Sequence, residues 1–170
     1  VQTCALPIYE LFGGYPSFSR IRWAKSMRTL PDLLLKMPLA SDGSKWGRLA
    51  YLSLPGINGL YLFLRGHHTP DGIAEYLDMD PKQVWEILWE HTNAVMEPGR
   101  LSPGNLVSWM EYNLYMQNQL LRDADVMSMK HGVEIRVPFL DEELVRYVLA
   151  MKPSLKFSGQ RPKQLLIDTC

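Results

Sequence analysis

Apolar positions recur at spacings of three and four along most of this chain, the pattern of helices that bury one side. From Ser17 to about Met37 they fall at Ile21, Ala24, Met27 and Leu30 with basic residues between them. Pro31 then interrupts, and a short apolar turn ends at Pro38. Pro38 to Lys45 reads as a loop. Trp46 to Leu54 and Gly59 to Leu64 predict helices separated by Pro55-Gly56, which is turn chemistry. Thr69-Pro70 and Asp80-Pro81 each set a side-chain acceptor before a proline, a helix start signal. The first helix spans two turns with Ile73, Ala74 and Leu77 as its stripe. The second runs from Lys82 to about Val95, with Val84, Trp85, Ile87, Leu88 and His91 in amphipathic spacing, and closes at Pro98-Gly99.

Leu106 to Leu121 is the longest well-patterned helix, with Leu106, Trp109, Met110, Asn113, Leu114, Gln117, Leu120 and Leu121 as inner positions. Asp125 to Lys130 predicts a separate short helix broken at Gly132, and Pro138 blocks helix at Val137. Asp141 is placed to cap Glu142 to Met151, and Arg161 to Thr169 gives a last helix. Only Val133 to Val137 resembles a strand, so the expected fold is mainly α. Tyr112, Tyr115, Trp85, Trp89 and Trp109 read as core or interface aromatics.

Composition narrows the function classes. A chain of 170 residues that is 46% hydrophobic can bury a real core. Lys plus Arg and Asp plus Glu are 18 each, so no global field draws nucleic acid, and any nucleotide binding must be local. Apolar runs such as Leu33 to Leu35 fall far short of the roughly 20 residues that span a bilayer. Cys4 and Cys170 lie at the extreme ends and frame no disulfide scaffold, so a reducing, cytoplasmic compartment is expected. Walker-type and dinucleotide glycine loops are absent from the sequence.

The candidate chemistry concentrates in Tyr112 to Asp141. Arg122, Asp123, Asp125, His131, Glu134, Arg136 and Asp141 lie there among Leu, Met, Val and Phe, and any of these charges that is buried needs a partner or a ligand. Asp123, Asp125, Glu134 and Asp141 are open to three readings: metal ligands, helix caps, or ion-pair partners of Arg122 and Arg136. A buried bidentate network of Arg136 with Glu134 and Asp125 stands level with direct ligand contact. Ser128 and Met129 lie on the short helix, where a Met pair reads as core filling. His131 reads as a loop-orienting residue ahead of an acid or base. At the other end, Glu10-Leu11-Phe12-Gly13-Gly14-Tyr15 sets a carboxylate before paired glycines that permit positive φ and close backbone approach. His67-His68, Lys163 and the face Arg20, Arg22, Lys25 and Arg28 read as solvated.

These motifs carry a resemblance. Glu134 to Asp141, EIRVPFLD, resembles the E-x-RVPFLD signature in the synthetase domain of glutamine-dependent asparagine synthetases. Glu10 to Tyr15 resembles that family's DELFGGY segment, and Arg161 to Leu166 is similar to its helix after RVPFLD. The likeness runs from Glu10 to about Ile167 and is loose over Arg20 to Glu97.

The resemblance implies the helical C-terminal portion of an α/β adenine-nucleotide-binding domain of the PP-loop ATP pyrophosphatase type. It implies ATP and Mg2+ as cofactors, aspartate as the carboxylate, and ammonia from glutamine hydrolysed by an N-terminal glutaminase domain absent from these residues. It sets Glu10, Gly13, Gly14 and Tyr15 near the pyrophosphate, and Arg122, Asp125, Ser128, His131, Glu134, Arg136 and Asp141 as a supporting network. Tyr9 stands where the family has an Asp, so that metal ligand is missing. Related synthetases amidate other carboxylates or close lactam rings, and a helical interaction module is the alternative from a different class. Val1 to Ile8 reads as a translated sequencing adapter, and the chain stops in mid-helix at Asp168-Thr169-Cys170. Residues 9 to 170 are therefore expected to be a partial synthetase domain, truncated at both ends and inactive alone. Neither the serine-glycine pyrophosphate loop nor the downstream lysine loop of the family is in the sequence.

Overall fold

A computed structural model describes residues 7–35, 46–93, 98–157, 161 and 163–169, and none of these is in a strand. The expected loop from Pro38 to Lys45, the helix end near Val95, Pro162 and both cysteines lie outside the described residues. The chain divides into two units: Val1–Ser19 with Pro98–Cys170, and Arg20–Glu97. No helix among the described residues is long and apolar enough to cross a membrane.

The Arg20–Glu97 unit holds most of helix α2 (Pro16–Met27), α3 (Asp32–Leu35), a 3-10 helix (Gly47–Ser53), α4 (Gly56–Arg65), α5 (Pro70–Leu77) and α6 (Pro81–Asn93). Its core gathers Ile21, Leu49, Leu52, Leu60, Phe63 and Val84. The two proline starts form as expected: Thr69 Oγ1 accepts from the Gly72 amide at 3.0 Å, and Asp80 Oδ1 from the Lys82 amide at 2.8 Å. The α5 stripe is narrower than its spacing suggests. Ala74 is buried, whereas Leu77 is exposed, because α5 ends there in the left-handed residue Asp78. Among the described side chains of α6 only Val84 is buried, with Ile87 and Trp89 exposed.

In the other unit, α1 (Ile8–Phe12) packs on a long helical run and on α9 (Glu142–Ala150), with α10 (Pro153–Lys156) and α11 (Gln164–Thr169) completing it. Leu11, Phe12, Val145 and Val148 form its core. The helical run starts one turn before Leu106. Ser102 caps it, its Oγ accepting from the Asn105 amide at 3.3 Å, and Pro103 takes the first position.

The expected break near Asp125 is absent, because helix continues through α7 (Pro103–Met110), a π-helical segment (Glu111–Leu120) and α8 (Leu121–Lys130). The wider π turn shifts the inner face. Glu111 and Met116 are the buried residues of that segment, and Gln117, inner by α spacing, is exposed. Met127 and Met129 are exposed rather than core filling.

A Schellman cap ends α8. The Val133 amide reaches the Ser128 carbonyl at 2.9 Å and the Gly132 amide the Met129 carbonyl at 3.1 Å, with Gly132 at φ +64°. Val133 to Val137 then follows as irregular chain, not strand. Asp141 caps α9 as expected, Oδ1 accepting from the Leu144 amide at 2.9 Å.

Nothing lies within 4 Å of a Cβ added at Gly132. Gly132→Ala should therefore report the cost of positive φ alone, a loss of roughly 1 kcal/mol in urea unfolding. An unchanged midpoint would show that the cap relaxes.

Candidate functional site

Helix α1 ends at a glycine pair because the chain must leave it with positive φ: Gly13 has φ +83° and Gly14 φ +152°. The turn folds the sequence back so that Tyr15 lies beside α1. Its hydroxyl donates to Glu10 Oε1 at 2.8 Å, and Glu10 is 1% exposed. Two aromatic neighbours fix the Tyr15 ring: Tyr9 at 5.6 Å between centroids, and Tyr115 edge-on at 6.0 Å. The Tyr9 ring lies over Gly14 so closely that a methyl group there would overlap it. Lys163 Nζ sits 3.5 Å from the Tyr9 centroid, a cation–π contact rather than free surface charge.

A second buried carboxylate adjoins the turn. Glu111, also 1% exposed, opens the π segment and accepts the Ser17 hydroxyl at 2.6 Å. Ser108, one turn earlier, donates from Oγ to the Leu11 carbonyl at 3.5 Å. The π segment thus presents Glu111 toward the start of α2, and such segments are frequent at functional sites.

Phe157 closes the other side of the turn. Its ring is 5.2 Å from Phe18, and it would meet an added Cβ at 3.3 Å on Gly13 and at 2.6 Å on Gly104. Beside it lies Lys156, 1% exposed, with Nζ 5.1 Å from the Phe157 centroid and no hydrogen-bond acceptor among the described residues. Burial lowers its pKa from 10.5 to about 8.

The central motif is placed differently. Arg122, Asp125, His131, Glu134, Arg136 and Asp141 are all exposed. The proposed buried network reduces to one solvent-exposed pair, Arg136 Nε to Glu134 Oε1 at 3.4 Å, because residues after Gly132 run over the surface. Asp125 contributes only its carbonyl, which accepts the Ser128 hydroxyl at 3.0 Å, and Ser128 is the one buried member of the set. His131 occupies the C-cap of α8. His67 and His68 are exposed as expected, and the His68 carbonyl accepts the Tyr51 hydroxyl at 2.9 Å.

Among the described residues no three His, Cys, Asp or Glu side chains group to hold a metal, and the Glu10 carboxylate is buried and bonded to Tyr15. Sequence reasoning missed Ser17, Glu111 and Lys156. Glu111 had a legible signal, a lone acid directly after the apolar Leu106 to Met110 face, whereas nothing local marks Lys156.

Comparison with known proteins bears on the whole span. The family model described as Asparagine synthase matches residues 10–168. Among curated proteins, the chain is similar to Asparagine synthetase (glutamine-hydrolyzing) 1 of Bacillus subtilis (strain 168), 27% identical over 170 residues and covering 92% of this chain. The chain spans about a quarter, 26%, of that relative's length. No solved structure matches.

Two substitutions test the geometry. Tyr15→Phe removes a hydrogen bond to a buried carboxylate and should cost on the order of 1.5–3 kcal/mol; a neutral result would show that Glu10 does not rely on it. Lys156 binds its proton less readily folded than unfolded, so its contribution to stability is unfavourable below about pH 8 and improves as pH rises toward 10.5. Lys156→Met should therefore stabilise at pH 7 by on the order of 1–3 kcal/mol, with the gain shrinking above pH 8. A gain that stays constant with pH would exclude the buried-ammonium origin.

Proposed function

We propose that this chain, which belongs to the asparagine synthase family, forms part of an ATP-dependent ligase that converts the side-chain carboxylate of aspartate to an amide. The observation that carries this reading is the family match over residues 10–168, which takes in both the Gly13-Gly14 turn and the RVPFLD segment.

The chemistry sets what such a site must supply. A carboxylate is a poor electrophile, so ATP adenylates it and pyrophosphate leaves; ammonia then attacks the acyl carbon, and AMP departs with asparagine. Glutamine is the ammonia source, hydrolysed by a glutaminase outside these residues. Pyrophosphate departure needs donors fixed before the charge develops. In this proposal the exposed backbone at Gly14, beside a turn held by Tyr15, Glu10 and Phe157, is this chain's contribution near the phosphates. Ser128, with Arg122, Asp125, His131, Glu134, Arg136 and Asp141, shapes the end of α8 and the loop to α9. The same reading makes the protein cytoplasmic.

A chimera tests the proposal: residues 10–168 of this chain replace the matched segment of the Bacillus subtilis relative. With ATP, aspartate and ammonia it should release pyrophosphate and form asparagine. A folded chimera that binds ATP but releases no pyrophosphate would sink the reading. Release with another carboxylate and none with aspartate would overturn the aspartate assignment.

A further inference from the structure

Within the Arg20–Glu97 unit, a pocket of about 220 Å³ is lined by Arg20, Trp23, Trp46, Arg48, Phe63 and Leu64. Three aromatic rings make its wall. Trp23 meets Trp46 edge-on with centroids 6.3 Å apart, and Phe63 at 5.6 Å with a 37° tilt. Trp23 and Trp46 nevertheless remain 44% and 56% exposed, so much indole surface faces the opening.

Two cations share this pocket with no carboxylate among the described residues that line it. Arg20 is exposed and pairs with no acid among them. Arg48 Nη1 donates to the Gly66 carbonyl, which fixes that corner of the guanidinium. The opposite edge carries Nε, a buried donor with no acceptor among the described residues. An aromatic wall beside unneutralised guanidinium groups is built for a flat apolar body with an anionic end.

We propose that this pocket binds a small aromatic carboxylate. Its ring lies against Trp23, Trp46 and Phe63, and its carboxylate takes the exposed guanidinium of Arg20. The planar fork of arginine matches a carboxylate. Size limits the ligand: a cavity of about 150 Å³ holds benzene, so the space here takes one ring and one carboxylate but does not enclose a nucleoside.

Isothermal titration of the full 170-residue chain with benzoate tests this, with benzamide as the neutral isostere and acetate as the anion without a ring. Saturable benzoate binding is expected, with benzamide and acetate each weaker by about ten-fold or more. Arg20→Gln should weaken benzoate by about the same factor without moving the thermal midpoint, since Arg20 pairs with no acid among the described residues. Trp46→Ala, also at an exposed position, should weaken it through the lost wall. The proposal is overturned if benzoate shows no saturable binding at millimolar concentration, if benzamide binds equally well, or if both variants retain wild-type affinity.

Discussion

Two carboxylates kept out of water set the terms on which the unit around Gly13-Gly14 packs. An ionised side chain inside a protein is tolerated only where donors replace its hydration. Glu10 accepts the Tyr15 hydroxyl, and Glu111 accepts the Ser17 hydroxyl. Both hydroxyls come from the few residues after the glycine pair, so the turn brings each of them to its acid. Glycine at the turn, tyrosine after it and serine at the start of α2 are therefore a single requirement, met by five consecutive residues from Gly13 to Ser17. The aromatic rings of Tyr9, Tyr115 and Phe157 then fill the space that the turn leaves.

Much of the helical layout was legible because its signals are local. Thr69-Pro70, Asp80-Pro81 and Asp141 each bring acceptor and start signal within three residues, and each caps as read. The π segment was not legible, since α spacing and π spacing share their first inner positions and diverge only after Glu111. For that reason Gln117 was assigned inward and is not. Charge density misled in a different way. For the acids and bases of residues 122–141 a buried network of Arg136 with Glu134 and Asp125 stood level with direct ligand contact, yet they line a helix end and a surface loop. Of the buried ionisable side chains Glu10, Glu111 and Lys156, the last two lie far from any charge cluster in sequence that would draw notice.

The stretch Arg20 to Glu97 packs upon itself. Its core residues find one another within the unit, and its helices carry their own caps.

The long helix has one more property. Met110 and Ser128 lie eighteen residues apart, which is five full turns of a straight α-helix, so a helical wheel stacks them on one side. Ten residues of π winding lie between them and take less rotation per residue, a deficit on the order of half a turn. The helix thus behaves as two cylinders keyed out of phase, and the side chains of α8 point away from the direction that Met110 defines. Any rewinding of Glu111 to Leu120 into α-helix would swing the whole end of that rod, Asp125 and Ser128 included, about its axis.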